Sequence, residues 1–185
     1  IIGSIAAVVR KSFSEAIMRV MDIVMAVPGI AMAAVSVLVF GRTLSKSGNT
    51  FGLVVVIICS IAFVYIPQLS RIVRANVMAA YGEDYVRAVI VSGARAPWIL
   101  TKHVMRNTAA PVLVFATVLV ADAIILEASL TFIGSGLQAT TVATWGNVLS
   151  EASSNLSVLL GKWWTAFFPG LFIMITVLCL HILSE

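Results

Sequence analysis

Charged side chains are scarce in this 185-residue chain. Asp, Glu, Lys and Arg make up only 11% of it, whereas 61% of the residues are hydrophobic and the mean hydropathy is +1.07. An ordinary soluble domain is disfavoured, because too few polar side chains remain to cover its surface. Several apolar runs approach the roughly 20 residues that a helix needs to cross a bilayer. The composition therefore predicts an all-α membrane protein, a polytopic bundle of transmembrane helices.

Residues that catalyse reactions or bind metals are also scarce. The chain has two histidines, and its two cysteines, Cys59 and Cys179, lie inside apolar runs without the spacing of metal ligands. It contains no GxxxxGK[S/T] phosphate-binding loop and no HExxH zinc motif. We therefore expect no catalytic residue, no metal site and no cofactor bound by this chain.

The basic residues are unevenly distributed along the chain. Nine of the twelve Lys and Arg fall within residues 10–19 or 71–106. Cytoplasmic loops of helical membrane proteins carry an excess of Lys and Arg. This pattern predicts that the loop near residue 90 and the C terminus are cytoplasmic. It also accounts for the net charge of +4 without a nucleic-acid partner.

The apolar runs predict four complete spans. They cover about residues 20–40, 51–66 (continuing past Pro67 as a kinked helix to about 80), 107–126 and 163–183, with loops at 41–50 and about 130–162. Pro28 should kink the first span, and Asn107 or Thr108 should cap the third. Ile1 begins inside a further apolar run, so we expect a single transmembrane domain, residues 1–185, trimmed from a longer polypeptide.

The longest segment that cannot lie in lipid separates the second and third predicted spans. Residues 83–106 are called the central segment. A helix from about Glu83 to Ser92 is predicted, because its two carboxylates favour a helix N terminus and Gly93 is a natural stop. Glu83 is placed to pair with Arg87 four residues later, and Pro97 should begin a second short helix.

This helix is predicted to be amphipathic. Its apolar face should anchor it to the transmembrane bundle, while its charged face, with Val91 as an apolar exception, should contact a partner. The apolar face comprises Tyr85, Val86, Val89, Ile90 and Gly93, and the charged face comprises Glu83, Asp84, Arg87 and Arg95.

The central segment resembles the EAA loop of ABC-importer permeases. The residues that carry the resemblance are Tyr85-Val-Arg-Ala-Val, Gly93-Ala94 and Lys102-His-Val-Met-Arg-Asn107. They are most similar to the dipeptide, oligopeptide and nickel uptake branch. Val89 stands where that branch usually has a second alanine. Met105-Arg106 stands where Leu-Pro is usual, which removes a proline ahead of the third span.

The resemblance implies a fold like that of type I ABC importers and a role as a permease subunit in a bacterial inner membrane. The implied partners are two cytoplasmic ATPase subunits, which bind ATP and Mg²⁺, a second permease subunit (usually a paralogue), an extracytoplasmic solute-binding protein and membrane lipid. The implied ATPase-coupling residues are Glu83, Asp84, Tyr85, Arg87, Ala88, Val89, Gly93, Ala94, Arg95 and His103.

Two motifs near the C terminus are also similar to this branch. They are Glu127-Ala-Ser-Leu-Thr-Phe-Ile-Gly-Ser-Gly136 and Thr144-Trp-Gly-Asn-Val-Leu-Ser-Glu-Ala152. Gly134 and Gly136 permit a sharp reversal, and residues 145–152 can form a short amphipathic helix on the outer face of the bilayer. We expect a binding-protein-facing or a structural role for Glu127, Gly134, Gly136, Trp145 and Gly146.

Two acidic residues and the overall function leave alternatives open. Asp22 follows Arg19 by three residues, so a local ion pair is expected. Asp122, inside the third predicted span, suits a structural hydrogen bond, a polar group of the pathway or a proton relay. The alternative functions are an ion-gradient-driven secondary transporter or channel, and a membrane scaffold that does not transport. The solute is not identified by the sequence.

Overall fold

The described part of the chain is predominantly helical. The computed structural model describes residues 1–46, 50–137, 142–155 and 157–184, and no strand occurs in these ranges, which confirms the all-α prediction. The α-helices are α1 (Ile2–Val8), α2 (Lys11–Met25), α3 (Gly29–Lys46), α4 (Thr50–Tyr81), α5 (Asp84–Val91), α6 (Ala96–Ile99), α7 (Met105–Phe132), α8 (Trp145–Ser154) and α9 (Trp164–Leu183), and a π-helix, Leu100–Val104, joins α6 to α7.

Within the described residues, three stretches of helix are long and apolar enough to cross a membrane. They are Thr50–Tyr81, Ala96–Phe132 and Trp164–Leu183, with mean hydropathies of 2.4, 2.4 and 2.3 over their most apolar parts. At most 22% of each of those parts is buried within the chain. The remaining apolar surface is suited to lipid or to other membrane helices. A multi-pass membrane protein is therefore confirmed.

The first predicted span is two helices rather than one kinked helix. α2 ends at Met25 and α3 begins at Gly29, with Pro28 between them. Proline removes a backbone donor and disfavours helical conformation in the residue before it. Only together do α2 and α3 have the length and hydropathy of a span. The predicted loop at 41–50 is helical as far as Lys46, and its positions 47–49 lie outside the described residues.

The second predicted span does continue beyond the apolar run. α4 is one helix of 32 residues that contains Pro67. The Pro67 side chain is fully buried. Membrane helices tolerate such a proline when neighbouring groups satisfy the carbonyl that it leaves free. The polar end of α4 therefore forms a continuous helical stem that leads to the central segment.

The third predicted span begins earlier and ends later than expected. The chain is helical from Ala96 to Phe132, so neither Asn107 nor Thr108 caps a helix. The Thr108 hydroxyl instead donates to the Val104 carbonyl oxygen at 2.9 Å. Positions 105 and 106 carry no proline, so their backbone N–H groups are present and the helix continues through them.

One compact unit comprises residues 1–26 and 65–116. Its hydrophobic core is a cluster of five buried side chains, which we call the stem cluster: Val77, Ala80, Val86, Ile99 and Val104. The cluster unites the end of α4 with α5, α6 and the π-helix. α1 also lies close to α4, since a Cβ added to Gly3 would stand 2.3 Å from the Ser70 carbonyl oxygen.

The other compact unit comprises residues 27–64 and the chain from 117 onward. Within it α8 packs against α9, and the rings of Trp145 and Phe172 stack with centroids 6.2 Å apart. The last predicted span is confirmed as α9. The helix predicted at 145–152 is confirmed as α8, whose Thr144 cap accepts a hydrogen bond from the Asn147 amide at 3.2 Å.

Candidate functional site

Residues at the start of the central segment determine where α5 begins. Glu83 is the N-cap residue with an extended backbone (ψ 147°), and Asp84 lies in the first turn, where the helix dipole favours a carboxylate. The predicted pairing of Glu83 with Arg87 is wrong. Arg87 pairs with Asp84 at 3.8 Å. Because Glu83 precedes the first helical residue, its side chain does not follow the helical spacing that the prediction assumed.

Gly93 ends α5, as predicted. Its φ is +82°, a conformation that costs other residues roughly 1–2 kcal/mol. The Gly93 amide donates to the Ile90 carbonyl at 2.9 Å, and the Ala94 amide donates to the Val89 carbonyl at 3.4 Å. These two bonds form a Schellman motif, which satisfies carbonyls at the end of the helix. Pro97 lies at the start of α6, also as predicted.

The anchoring face of α5 is narrower than predicted. Val86 is fully buried in the stem cluster, and Val89 is packed against that cluster. By contrast, Tyr85 is 37% exposed, Ile90 is 49% exposed and Gly93 is exposed. At about 100° per residue, Tyr85 and Ile90 lie about 70° either side of the mean direction of Val86 and Val89, so they fall at the edges of the buried face. Val86 and Val89 alone therefore hold α5 on its support.

The opposite face of α5 is free of contact with the rest of the described chain. It presents Asp84, Arg87, Ala88 and Val91, all of which are exposed. Val91 is 87% exposed at the middle of this face. Glu83 and Arg95 flank the helix and are also exposed. A charged face with a central apolar side chain has the mixed character of a protein-binding surface.

His103 lies on the π-helix that follows α6. Its ring contacts Trp98, with centroids 4.9 Å apart. Its Nε2 atom is the one buried side-chain nitrogen or oxygen among the described residues that has no hydrogen-bond partner. A π-turn inserts an extra residue into a helix and is frequent at functional sites. The structure places His103 beside the stem cluster rather than on the outward face of α5.

The sequence analysis missed contacts that connect α2 to the stem of α4. Asp22 forms an ion pair with Arg71, so the predicted local pairing with Arg19 is wrong. Arg74 donates from Nε to the Ser14 hydroxyl oxygen at 3.1 Å. The spacing of Arg71 and Arg74, one turn apart on one helix, was the only signal in the sequence. Their partners lie 49 and 60 residues away.

The second group of predicted site residues meets at Thr131, near the end of α7. The buried Thr131 hydroxyl donates to Glu127 Oε1 at 2.8 Å. A Cβ on Gly136 would lie 2.2 Å from Thr131 Oγ1, and one on Gly146 would lie 2.5 Å from the Ala128 carbonyl oxygen. Glu127, Ala128, Thr131, Gly136 and Gly146 are called the Thr131 cluster. Glu127 therefore lies inside α7, and not beyond the end of a span as predicted.

Gly134 and Trp145 border the Thr131 cluster without joining it. Gly134, with φ +78°, ends α7 through a second Schellman motif, in which the Ser135 amide donates to the Leu130 carbonyl at 2.9 Å. Trp145 stacks on Phe172 of α9. The part of the predicted outer loop at positions 138–141 and 156 lies outside the described residues. The geometry of the cluster is that of tight backbone packing.

Comparison with known proteins gives matches over the whole chain. Residues 1–185 match the family described as binding-protein-dependent transport system inner membrane component. The chain is 34% identical over 169 residues to the dipeptide transport system permease protein of Escherichia coli, and 32% identical over 185 residues to the di/tripeptide transport system permease protein of Pseudomonas aeruginosa. These alignments cover 91% and 100% of the chain, but only 52% and 56% of the relatives. The chain thus spans about half the length of the relatives that it matches.

Proposed function

Because the chain belongs to the family of binding-protein-dependent transport system inner membrane components, we propose that it is the permease subunit of an ATP-driven importer. Peptides or similar small solutes would be the cargo. Two relatives are named as permeases for dipeptides and for di- and tripeptides, which supports a peptide solute. Among the described residues, three helical stretches are able to cross a membrane, and we propose that they line the transport pathway.

The outward face of α5 carries this proposal. It is held by Val86 in the stem cluster, and that cluster includes Val77 of α4 and Val104, the residue directly before α7. Two long apolar helices therefore share one core with α5. A partner that pushed or pulled on the exposed face would move the ends of both helices. Coupling requires such a continuous and bistable physical connection.

Membership of this family supports the proposed partners. Two cytoplasmic ATPase subunits would bind the central segment and would hold the ATP and Mg²⁺, so that hydrolysis occurs outside this chain. A second permease subunit, expected to be a paralogue, would complete the pathway, and an extracytoplasmic binding protein would deliver the solute. Lipid surrounds the apolar helices, and nucleic acid has no role.

The contact residues proposed for the ATPase are those of the outward face and its flanks. Asp84, Arg87 and Ala88 would contact the partner directly, with Glu83 and Arg95 beside them. Tyr85 joins them because it is exposed rather than anchored. The remaining predicted coupling residues support the surface: Val89, Gly93, Ala94 and His103. A structural role is proposed for the Thr131 cluster, Gly134 and Trp145.

The proposed orientation places the central segment and the C terminus in the cytoplasm of a bacterial cell, in its inner membrane. The test is labelling of Arg87→Cys with a membrane-impermeant maleimide. Cys59 and Cys179 are both exposed, so they must first be replaced by alanine. Labelling is expected only after the membrane has been opened. Labelling of intact cells from outside would contradict the proposal.

The coupling role is tested by Ala88→Glu in the full-length protein, assembled with its ATPase, second permease and binding protein in vesicles. Ala88 is exposed, so the substitution leaves the core intact while it alters the contact surface. We expect the solute transported per ATP hydrolysed to fall about tenfold or more, the loss typical of a central interface position. Ala79→Glu, at an exposed position of α4, is the matched control and should transport normally. Equal coupling in both variants would overturn the proposal.

A further inference from the structure

Two contacts, one helical turn apart on α4, hold α2 against the stem of that helix. Arg71 binds Asp22, and Arg74 binds Ser14. Ser14 and Asp22 are eight residues apart, slightly more than two turns, so they lie on one face of α2. The earlier residue of α2 binds the later residue of α4, so the helices are antiparallel here. Two separated points of contact prevent the helices from pivoting about one another.

These contacts are poorly suited to stabilising the folded chain. The side chains of Arg71 and Asp22 are 53% and 55% exposed. An ion pair with that exposure adds little to the free energy of folding, since water already solvates both charges. A pair that is weak in stability terms can still fix a register between two helices. Its removal should therefore leave a folded chain with a shifted α4.

The stem of α4 transmits such a shift to the central segment. Val73 lies between the two arginines and packs against the stem cluster, which contains Val77 and Ala80 further along α4. From Arg71 to Tyr81 the helix is continuous, a distance of about 15 Å at 1.5 Å per residue. Val86 of α5 belongs to the same cluster. The position of α5 is therefore set by the position of α2 through α4.

We propose that Asp22 and Arg71 are positioning residues, which hold the central segment in the orientation that couples ATP hydrolysis to transport. The proposal rests on the proposed function. It assigns to the ion pair a mechanical role and no contact with solute or nucleotide. Breaking the pair should let α4 move relative to α2 when the ATPase moves α5, so that hydrolysis continues without a matching movement of the pathway.

The test is charge reversal in the full-length protein within the complete transporter. Asp22→Arg and Arg71→Asp each place two like charges together, and the double variant D22R/R71D restores an opposite pair. Uptake, ATP hydrolysis stimulated by solute-loaded binding protein, and co-purification of the ATPase subunits are measured for equal amounts of assembled complex. Each single variant should transport at least about fivefold less solute per ATP, the low end for coupling between two sites. The double variant should recover to within about twofold of the wild type.

Two control variants separate this pair from general charge effects. Glu15→Arg changes the charge of α2 as Asp22→Arg does, and Glu15 is exposed. Arg19→Asp removes the partner that local spacing would assign to Asp22. Both controls should couple as the wild type does. If Arg19→Asp uncoupled transport and Arg71→Asp did not, the proposal would be overturned in favour of a local pair.

The other outcomes are equally decisive. Single variants with unchanged solute per ATP would overturn the proposal. So would a parallel loss of uptake, hydrolysis and assembled complex, because that is the effect of a merely stabilising pair. A double variant no better than the singles would count against a direct interaction. A wild-type protein that showed no uptake-linked hydrolysis would instead refute the proposed function, and this inference with it.

Discussion

The central segment and the region of the Thr131 cluster share one helix-terminating motif but differ in how the following residues pack. In each region a helix ends in a Schellman motif at a glycine with positive φ, Gly93 within the central segment and Gly134 beside the Thr131 cluster. After Gly93 the chain leaves the outward face of α5 uncovered. After Gly134 it brings Gly136 and Gly146 against Thr131 so closely that a methyl group would not fit. The outward face of α5 is therefore an exposed surface. The Thr131 cluster is a tight backbone contact between α7 and the residues that follow it, which we call a packed joint.

This contrast shows that two motifs that look alike in a sequence can have different physical roles. Both regions combine glycine with carboxylate side chains, and both resemble segments of the same permease family. Their physical roles differ because backbone atoms meet in only one of them. Substitutions should therefore affect stability in the Thr131 cluster and coupling in the central segment. Three predictions test that division.

The largest effect on stability is expected from Gly146→Ala. Its Cβ would lie 2.5 Å from the Ala128 carbonyl oxygen, and a backbone atom cannot move aside without shifting α7 or α8. Overpacking of this kind typically costs about 1–3 kcal/mol, which exceeds the roughly 1 kcal/mol that alanine gains over glycine in a helix. Thermal unfolding of the purified protein in detergent should show the loss.

The matched control for this prediction is Gly170→Ala in α9. A Cβ there would meet no atom within 4 Å, so the variant should be as stable as the wild type or slightly more stable. If Gly146→Ala unfolded at the same temperature as Gly170→Ala, the Thr131 cluster would not be a packed joint. The contrast between the two regions would then disappear.

A smaller effect is expected from alanine at the two Schellman glycines. No atom lies within 4 Å of a Cβ at Gly93 or Gly134, so the cost is that of the left-handed backbone alone. Each substitution should lower the unfolding free energy by about 1 kcal/mol. Asparagine tolerates this conformation better and should recover part of the loss. Equal losses at the two sites would show that the motif contributes the same in both regions.

Transport should nevertheless distinguish these two variants. Gly93→Ala disturbs the end of α5, so solute transported per ATP should fall, whereas Gly134→Ala should retain the wild-type ratio. Similar ratios in the two variants would contradict the view that only the central segment couples to a partner. The comparison needs equal amounts of assembled complex, because both variants are slightly destabilised.

Local features of the central segment could be predicted from sequence because their causes are local. The acidic first turn and Gly93 predicted a helix from Glu83 to Ser92, and α5 spans Asp84–Val91. Likewise, α9 follows directly from its apolar run. In these cases neighbouring residues contain all the information that determines where a helix begins and ends.

Distant contacts could not be predicted in the same way. Asp22 has a plausible partner three residues away, yet it binds Arg71, 49 residues along the chain. Gly146 was predicted only to lie in a short helix with a binding-protein-facing or structural role, but the atoms that require glycine there belong to Ala128 and Thr131. The periodicity of α5 placed Tyr85 and Ile90 with Val86, because it indicates a direction but not the width of the buried face. Long-range packing decided each of these cases.

The smallest effect on stability is expected from Val91→Ser. Val91 is 87% exposed, and surface substitutions without buried contacts usually change the unfolding free energy by less than about 0.5 kcal/mol. An exposed apolar side chain on a charged face can fill a pocket on a protein partner. Co-purification of the ATPase subunits should therefore weaken while the unfolding temperature stays unchanged. Val86→Ser is the opposite control, since Val86 is buried in the stem cluster and the change leaves a cavity and a buried hydroxyl, which should lower the unfolding temperature. If both variants lost stability equally, α5 would be buried on both faces, and the central segment would be a packed joint like the Thr131 cluster.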